Sequence, residues 1–138
     1  MRDGGLRQIF QRHLPEVHWQ AIESWGTGIG IPDLNGCAGG VEFWIELKRA
    51  TANAVKISPG QVAWTERRLR AGGRVYVAVR KNSAASKRRA ATDELHLFRG
   101  EVIRSLYTDG LQNCPALGVW PNGPASWHWA DILAAMML

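Results

Sequence analysis

A chain of 138 residues, 46% hydrophobic and 21% charged, has the make-up of one soluble globular domain that can bury a core unaided. Its formal net charge of +5 favours polyanionic partners, nucleic acid above all. Its two cysteines, Cys37 and Cys114, form no CxxC pair, so a zinc ribbon or finger is not supported. With no secretory signal and no run approaching the roughly 18–20 apolar residues of a membrane span, an intracellular, cytoplasmic protein with reduced thiols is expected.

In chain order, residues 6–14 read as a short amphipathic helix, because Leu6, Ile9, Phe10 and Leu14 recur at helical spacing and Pro15 follows. Residues 18–24 read as a weak strand, and residues 27–30 as a glycine-rich turn. Asn35-Gly36 and Gly39-Gly40 are turn signals. Residues 41–49 form the clearest strand: Val41, Phe43, Ile45 and Leu47 fall on one face, Glu42, Trp44, Glu46 and Lys48 on the other.

Ser58 is an N-cap with Pro59 at the first helical position, opening a helix that runs to about Ala71 and stops at Gly72-Gly73. Residues 75–79 are a β-branched run expected to be a buried strand, and residues 80–89 a basic loop. Residues 94–99 and 101–106 suggest a hairpin turning at Gly100; residues 110–125 are expected to be irregular. A terminal helix begins at Ser126 or Trp127 and runs to Leu138. The strand–helix–strand crossover implies a parallel pair. The fold class expected is α/β, a central mixed β-sheet flanked by helices, in a single domain 1–138 with its core over about 5–106.

Chemistry concentrates in Pro32-Asp33 and Glu46-Leu47-Lys48. Glu46 and Lys48 are two apart on a strand and so project from one face. If the strands pair, Asp33 from the preceding turn converges on Glu46. Two carboxylates there make a hard oxygen site suited to Mg²⁺ or Mn²⁺, to which the main-chain carbonyl of Leu47 can add. Such an ion activates water and neutralises charge in phosphodiester hydrolysis, and Lys48 can orient or deprotonate the water or stabilise the developing charge.

These residues resemble the PD-(D/E)XK nuclease signature. The following Ser58-Pro59-Gly60-Gln61, the helix ending Ala71-Gly72-Gly73 and the strand Val75-Tyr76-Val77-Ala78-Val79 are similar to the VRR-NUC branch and to Holliday-junction resolvases of that superfamily. The resemblance spans residues 5–80 and implies a restriction-endonuclease-like core and a metal-dependent DNA endonuclease. Asp33, Glu46 and Lys48 would be catalytic, and Gln61 would support the site from the start of its helix. By family analogy it further implies a branched DNA substrate such as a Holliday junction, the alternatives being a nuclease acting on flap, single-stranded or duplex DNA, or a non-catalytic nucleic-acid-binding module. Paired cutting of a junction would call for a homodimer, and the compact single-domain form fits a stand-alone, phage-encoded enzyme in a bacterial host. Many members carry a glutamate in the first helix; here Gln8 and Gln11 stand there, with Asp3 at its start and Glu16 after its end, and no position matches cleanly, so either Glu16 or Glu23 supplies that carboxylate or the site lacks it.

DNA phosphates have several candidate partners: Lys56 ahead of Gln61, and Arg80, Lys81, Lys87, Arg88 and Arg89 in the basic loop, with Arg67, Arg68, Arg70 and Arg74 equally readable as a solvated helix face. The histidines, His13, His18, His96 and His128, show no metal spacing and read as surface or capping residues. The seven tryptophans read mainly as core. Gly26-Thr27-Gly28-Ile29-Gly30 lacks a P-loop ending and reads as a tight turn beside Asp33.

Overall fold

The computed structural model describes residues 2–23 and 30–138; the end of the first expected strand and most of the glycine-rich turn lie outside them. Helix α1 (Leu6–His13) leads into strands β1 (His18–Ala21), β2 (Leu34–Ala38) and β3 (Val41–Ala50). Helix α2 (Pro59–Arg70) then crosses to β4 (Val75–Ser83), followed by β5 (Thr92–Arg99), α3 (Ile103–Asp109), β6 (Gly118–Trp120) and α4 (Trp129–Met137). The six strands form one sheet in sequential order. Only β3 and β4 pair in parallel, the consequence of the crossover through α2; the other neighbours are antiparallel. The architecture is therefore the expected α/β mixed sheet flanked by helices.

Each sheet face carries its own core. Leu6 and Phe10 of α1 and Ile132 and Met136 of α4 pack with Phe43, Ile45, Leu47, Tyr76, Ala78, Leu95 and Leu97. On the other face Val62 of α2 and Ile103 and Leu106 of α3 pack with Val77, Val79 and Phe98. The odd-numbered apolar residues of β3 thus face α1 and α4, and its polar set faces α2. Among the described residues, no helix is long and apolar enough to cross a membrane.

Four expectations are corrected. Asn35-Gly36 lies inside β2, not in a turn, because Gly36 leaves room for two aromatic rings: a Cβ there would sit 2.6 Å from Phe43 and 2.9 Å from Trp19. The turn is the Gly39-Gly40 pair, both at positive φ. The expected hairpin at Gly100 is instead a 3-10 turn (Gly100–Val102) running into α3. Ile103 and Leu106 are buried at helical i, i+3 spacing, which a six-residue stretch does not separate from strand alternation. Within the Gly- and Pro-rich stretch, β6 adds an edge strand against β5. The basic loop is shorter than expected, because Arg80–Ser83 continues β4.

Two expected surface histidines are also packed. His13 stacks on Trp129 at 4.7 Å, and His96 is half-buried, 3.0 Å from Glu94.

Candidate active site

Alternation along β3 sends Trp44, Glu46 and Lys48 towards α2. Trp44 meets Trp64 of α2 with ring centroids 5.3 Å apart, and the Arg68 guanidinium lies over both rings at 5.2 and 4.7 Å. The tryptophan within the polar set therefore marks where α2 sits on the sheet. Arg68 belongs to this packing. Glu46, one strand step further on, is only 3% exposed.

Asp33 immediately precedes β2. The ladder pairs Leu34 with Ile45, so one further step sets Asp33 opposite Glu46. Because β2 begins only at Leu34, Leu47 has no strand partner on that side; its amide donates instead to Asp33 Oδ2 at 2.8 Å. The Leu47 side chain is buried in the α1/α4 core, so Leu47 meets the cleft through its main chain. Gly30 brings this approach against α2: at φ +85°, it lies so near Gly60 that a Cβ would sit 2.1 Å from the Gly60 carbonyl oxygen.

Gln61 joins helix and strand. Its amide donates to Ser58 Oγ at 3.1 Å, and the Ser58 amide donates to Gln61 Oε1 at 3.0 Å, a complete capping box. The same Oε1 accepts from Lys48 Nζ at 2.9 Å, and Nε2 donates to Glu46 Oε1 at 3.2 Å. Lys48 Nζ also stands 3.8 Å from Glu46 Oε1. The residue that caps α2 is thus the one that holds the lysine and the glutamate in register.

Glu46 Oε2 is buried with no hydrogen-bond partner. Burial first, then the charge of the facing Asp33, push the Glu46 carboxyl up to about 9, with Lys48 pulling the other way. The protein alone therefore favours the protonated form of Glu46 at neutral pH. A divalent cation could take that proton's place, and the chemistry of the donors fits one: two facing carboxylates, one with a bare buried oxygen, beside a main-chain segment. Among the described residues, no group of three or more His, Cys, Asp or Glu side chains gathers as a metal site, so a cation here would need main-chain oxygen and water to complete its shell.

The cleft in front of this cluster encloses about 400 Å³ and is also lined by Arg2, Asp3 and Arg7 at the start of α1. Asp3 accepts from the amides of Gly5 at 3.0 Å and Arg7 at 3.3 Å, holding the helix start in place. The sequence offers Asp3 as the acidic residue at the start of the first helix, but singles out neither Arg2 nor Arg7; the available signal was an Asp-Gly-Gly lead-in to an amphipathic helix. Neither Glu16 nor Glu23 lines the cleft. Glu16 is exposed beyond α1, and Glu23 is exposed and reaches Arg7 at 3.6 Å.

The basic candidates divide. Arg80 sits in β4, where its guanidinium donates to both Asp93 oxygens at 2.8 and 2.6 Å and to the Gly4 carbonyl at 2.7 Å, so it belongs to the framework. Lys81 is also in β4, half-buried opposite Glu94. Lys56 is exposed just before α2, and Lys87, Arg88 and Arg89 are exposed between β4 and β5.

The fold is an α/β mixed sheet flanked by helices, consistent with a restriction-endonuclease-like core. The chain is similar to the solved structure of Archaeoglobus fulgidus Hjc, a Holliday junction resolvase from an archaeal hyperthermophile. The TM-score is 0.51 with 18% identity, over 70% of this chain and 75% of that one. No protein-family model matches the chain, and no curated protein matches it.

Proposed function

We propose that the protein is a Mg²⁺- or Mn²⁺-dependent DNA endonuclease that hydrolyses phosphodiester bonds, with branched DNA such as a Holliday junction as its substrate. The observation that carries this reading is the bare, buried Oε2 of Glu46 facing Asp33, beside a lysine held by Gln61. A structural strand face would not keep a carboxylate buried and half-partnered at the back of an open cleft.

In this reading Asp33, Glu46 and the Leu47 carbonyl hold the metal. When bound, the ion lowers the pKa of water and draws charge from the phosphoryl oxygens. Lys48 orients the attacking water and stabilises charge on the phosphate as the water's oxygen bonds to phosphorus and the ester oxygen leaves. Gln61 fixes the lysine. Arg2 and Arg7 add positive charge to the cleft wall, and Lys56, Lys81, Lys87, Arg88 and Arg89 extend it along the DNA. The junction substrate rests on the likeness to the archaeal resolvase; paired cuts across a junction call for a symmetric homodimer.

The test is cleavage of labelled four-way junction, flap, single-stranded and linear duplex DNA with Mg²⁺, with Mn²⁺ and with EDTA, beside Glu46→Ala and Lys48→Ala. Metal-dependent paired nicking of the junction, lost in both variants, is expected. Cutting of another substrate instead would keep the site and reject the junction. No metal-dependent cutting of any substrate would leave a nucleic-acid-binding module.

A further inference from the structure

β4 and β5 continue together beyond the rest of the sheet. β3 pairs with β4 only as far as Lys81, and β6 pairs with β5 only over residues 95–97. Asn82 and Asp93 are still tied to the body, Asn82 accepting from Arg49 at 2.8 Å and the Asp93 carbonyl from the Gly123 amide at 2.9 Å; beyond Ser83 and Thr92, where the strands end, residues 84–91 close the hairpin as an exposed ribbon outside the sheet. The strand register sets Ser83 opposite Thr92, with the two hydroxyls 2.8 Å apart. The same register pairs Ser86 with Arg89, and the Ser86 amide donates to the Arg89 carbonyl at 2.9 Å. Lys87-Arg88 is therefore a two-residue tip, and the Arg88 amide donates to Ser86 Oγ at 3.4 Å.

The ribbon's composition is unusual. Its stem carries only Ser83, Ala84, Ala85 and Ser86 on one arm and Ala90, Ala91 and Thr92 on the other, all exposed. Three adjacent cations crowd the tip, and none of them joins an ion pair found among the described residues. A two-stranded ribbon has little stability of its own, and three like charges lower it further. The arrangement suits a polyanion, and it offers no apolar surface to a protein partner.

We infer that this ribbon is a DNA finger that enters the major groove of the duplex flanking the cut and sets its tip cations on phosphates along the groove. A major groove about 12 Å wide admits a two-stranded ribbon as it stands, whereas a minor groove about 6 Å wide would first have to be widened. Methyl and hydroxyl side chains keep the stem thin and supply none of the forked donors that read bases, so this contact grips without choosing sequence.

The finger points from the catalytic end of the sheet. Val79 is the register partner of Lys48, and Lys87 lies eight residues further along the ribbon. The strand part alone, from Val79 to Ser83, carries the ribbon about 13 Å beyond the level of Lys48 at roughly 3.3 Å per residue, and the tip lies further out. That distance spans roughly four base pairs. The inference rests on DNA as the substrate of the cleft and adds where and how a flanking duplex is held.

The experiment measures binding in EDTA, so it does not depend on cleavage. Two variants are compared with the wild type: one with residues 84–91 replaced by an Asn-Gly turn that keeps Ser83 opposite Thr92, and the triple change Lys87→Gln, Arg88→Gln, Arg89→Gln. Duplexes and four-way junctions with arms of about 5 and about 15 base pairs are titrated over a range of salt. On long arms both variants are expected to bind roughly 10–100-fold more weakly, with the slope of log K against log salt reduced by about 2–3, as expected for three lost phosphate contacts. The deficit should shrink on short arms. Wild-type protein should protect guanine N7 from methylation in the flanking duplex, about four or more base pairs from the cut, and the trimmed chain should not.

Unchanged affinity and salt slope would overturn the finger, and unprotected N7 atoms would overturn groove entry. Ribbon-dependent binding by a wild-type chain that cuts nothing would sink the nuclease reading and leave the finger standing. Cutting without any ribbon dependence would do the reverse.

Discussion

Glu46 concentrates the electrostatic cost of the cleft in one side chain. Its carboxyl titrates higher in the folded chain than in the unfolded one, so the folded chain binds the extra proton. Without metal, stability should fall as pH rises from the ordinary value of 4.5 towards about 9 and change no further above it. The loss by pH 7 is on the order of 1–3 kcal/mol. Melting curves in EDTA across this range should show that slope in the wild type and lose it in Glu46→Gln. The variant should then be the more stable chain at neutral pH, and equal slopes would count against the buried, Asp33-facing carboxyl.

Gln61 spans two jobs, and a substitution there should expose both. Gln61→Ala removes the acceptor for the Ser58 amide and for Lys48 Nζ. About 0.5–1 kcal/mol of stability should go with the cap, and cleavage should fall by roughly tenfold or more. Ser58→Ala breaks the other half of the box; a melt and a rate for each variant would separate capping from lysine positioning. Gly30→Ala should be worse than its chemistry suggests, since the new methyl meets the Gly60 carbonyl head-on. Loss of cleavage together with a lower melting temperature is expected there.

At the scale of elements, the N-terminal turn, β4, β5 and the lead-in to α4 converge on Arg80. Its guanidinium joins Asp93, the Gly4 carbonyl and, at 5.8 Å, the Trp127 ring. The Asp93 hydrogen bond pushes the Arg80 pKa up still further. Arg80→Ala should cost about 2 kcal/mol and lower the melting temperature by a few degrees. It should also loosen the turn that carries Arg2 and Asp3 into the cleft. A phosphate-contact role alone would leave the melting temperature unchanged.

Elements also differ in how plainly they are written. β3 and α2 are unmistakable: strict alternation in one, a Ser-Pro opening and a Gly-Gly close in the other. α3 and β6 are not, because seven or three residues carry too little periodicity and their identity comes from docking on β4 and β5. Arg80–Ser83 looks like loop by composition and becomes strand because β5 pairs with it.

For the molecule as a whole, a divalent ion that binds only the folded chain should raise the melting temperature. About 2.7 kcal/mol is expected at a hundredfold excess over Kd, and the gain should disappear in Asp33→Ala. Calorimetry with and without Mn²⁺ checks it, independently of any DNA.

The sequence by itself determined the two-sided strand carrying Glu46 and Lys48, the capped helix that begins at Gln61, the parallel crossover between them and the basic character of the chain. These follow from local periodicity, capping chemistry and connectivity, which need no knowledge of distant contacts. Only the tertiary structure decided which carboxylate stands opposite Glu46, because that depends on the register of β2. It alone brought Arg2, Asp3 and Arg7 to the cleft, because nothing local ties residues 2–7 to residue 46. It also divided the basic residues between framework and surface: a guanidinium's partner is chosen by pairing across the sheet, and Arg80 finds Asp93 only when β4 and β5 lie side by side.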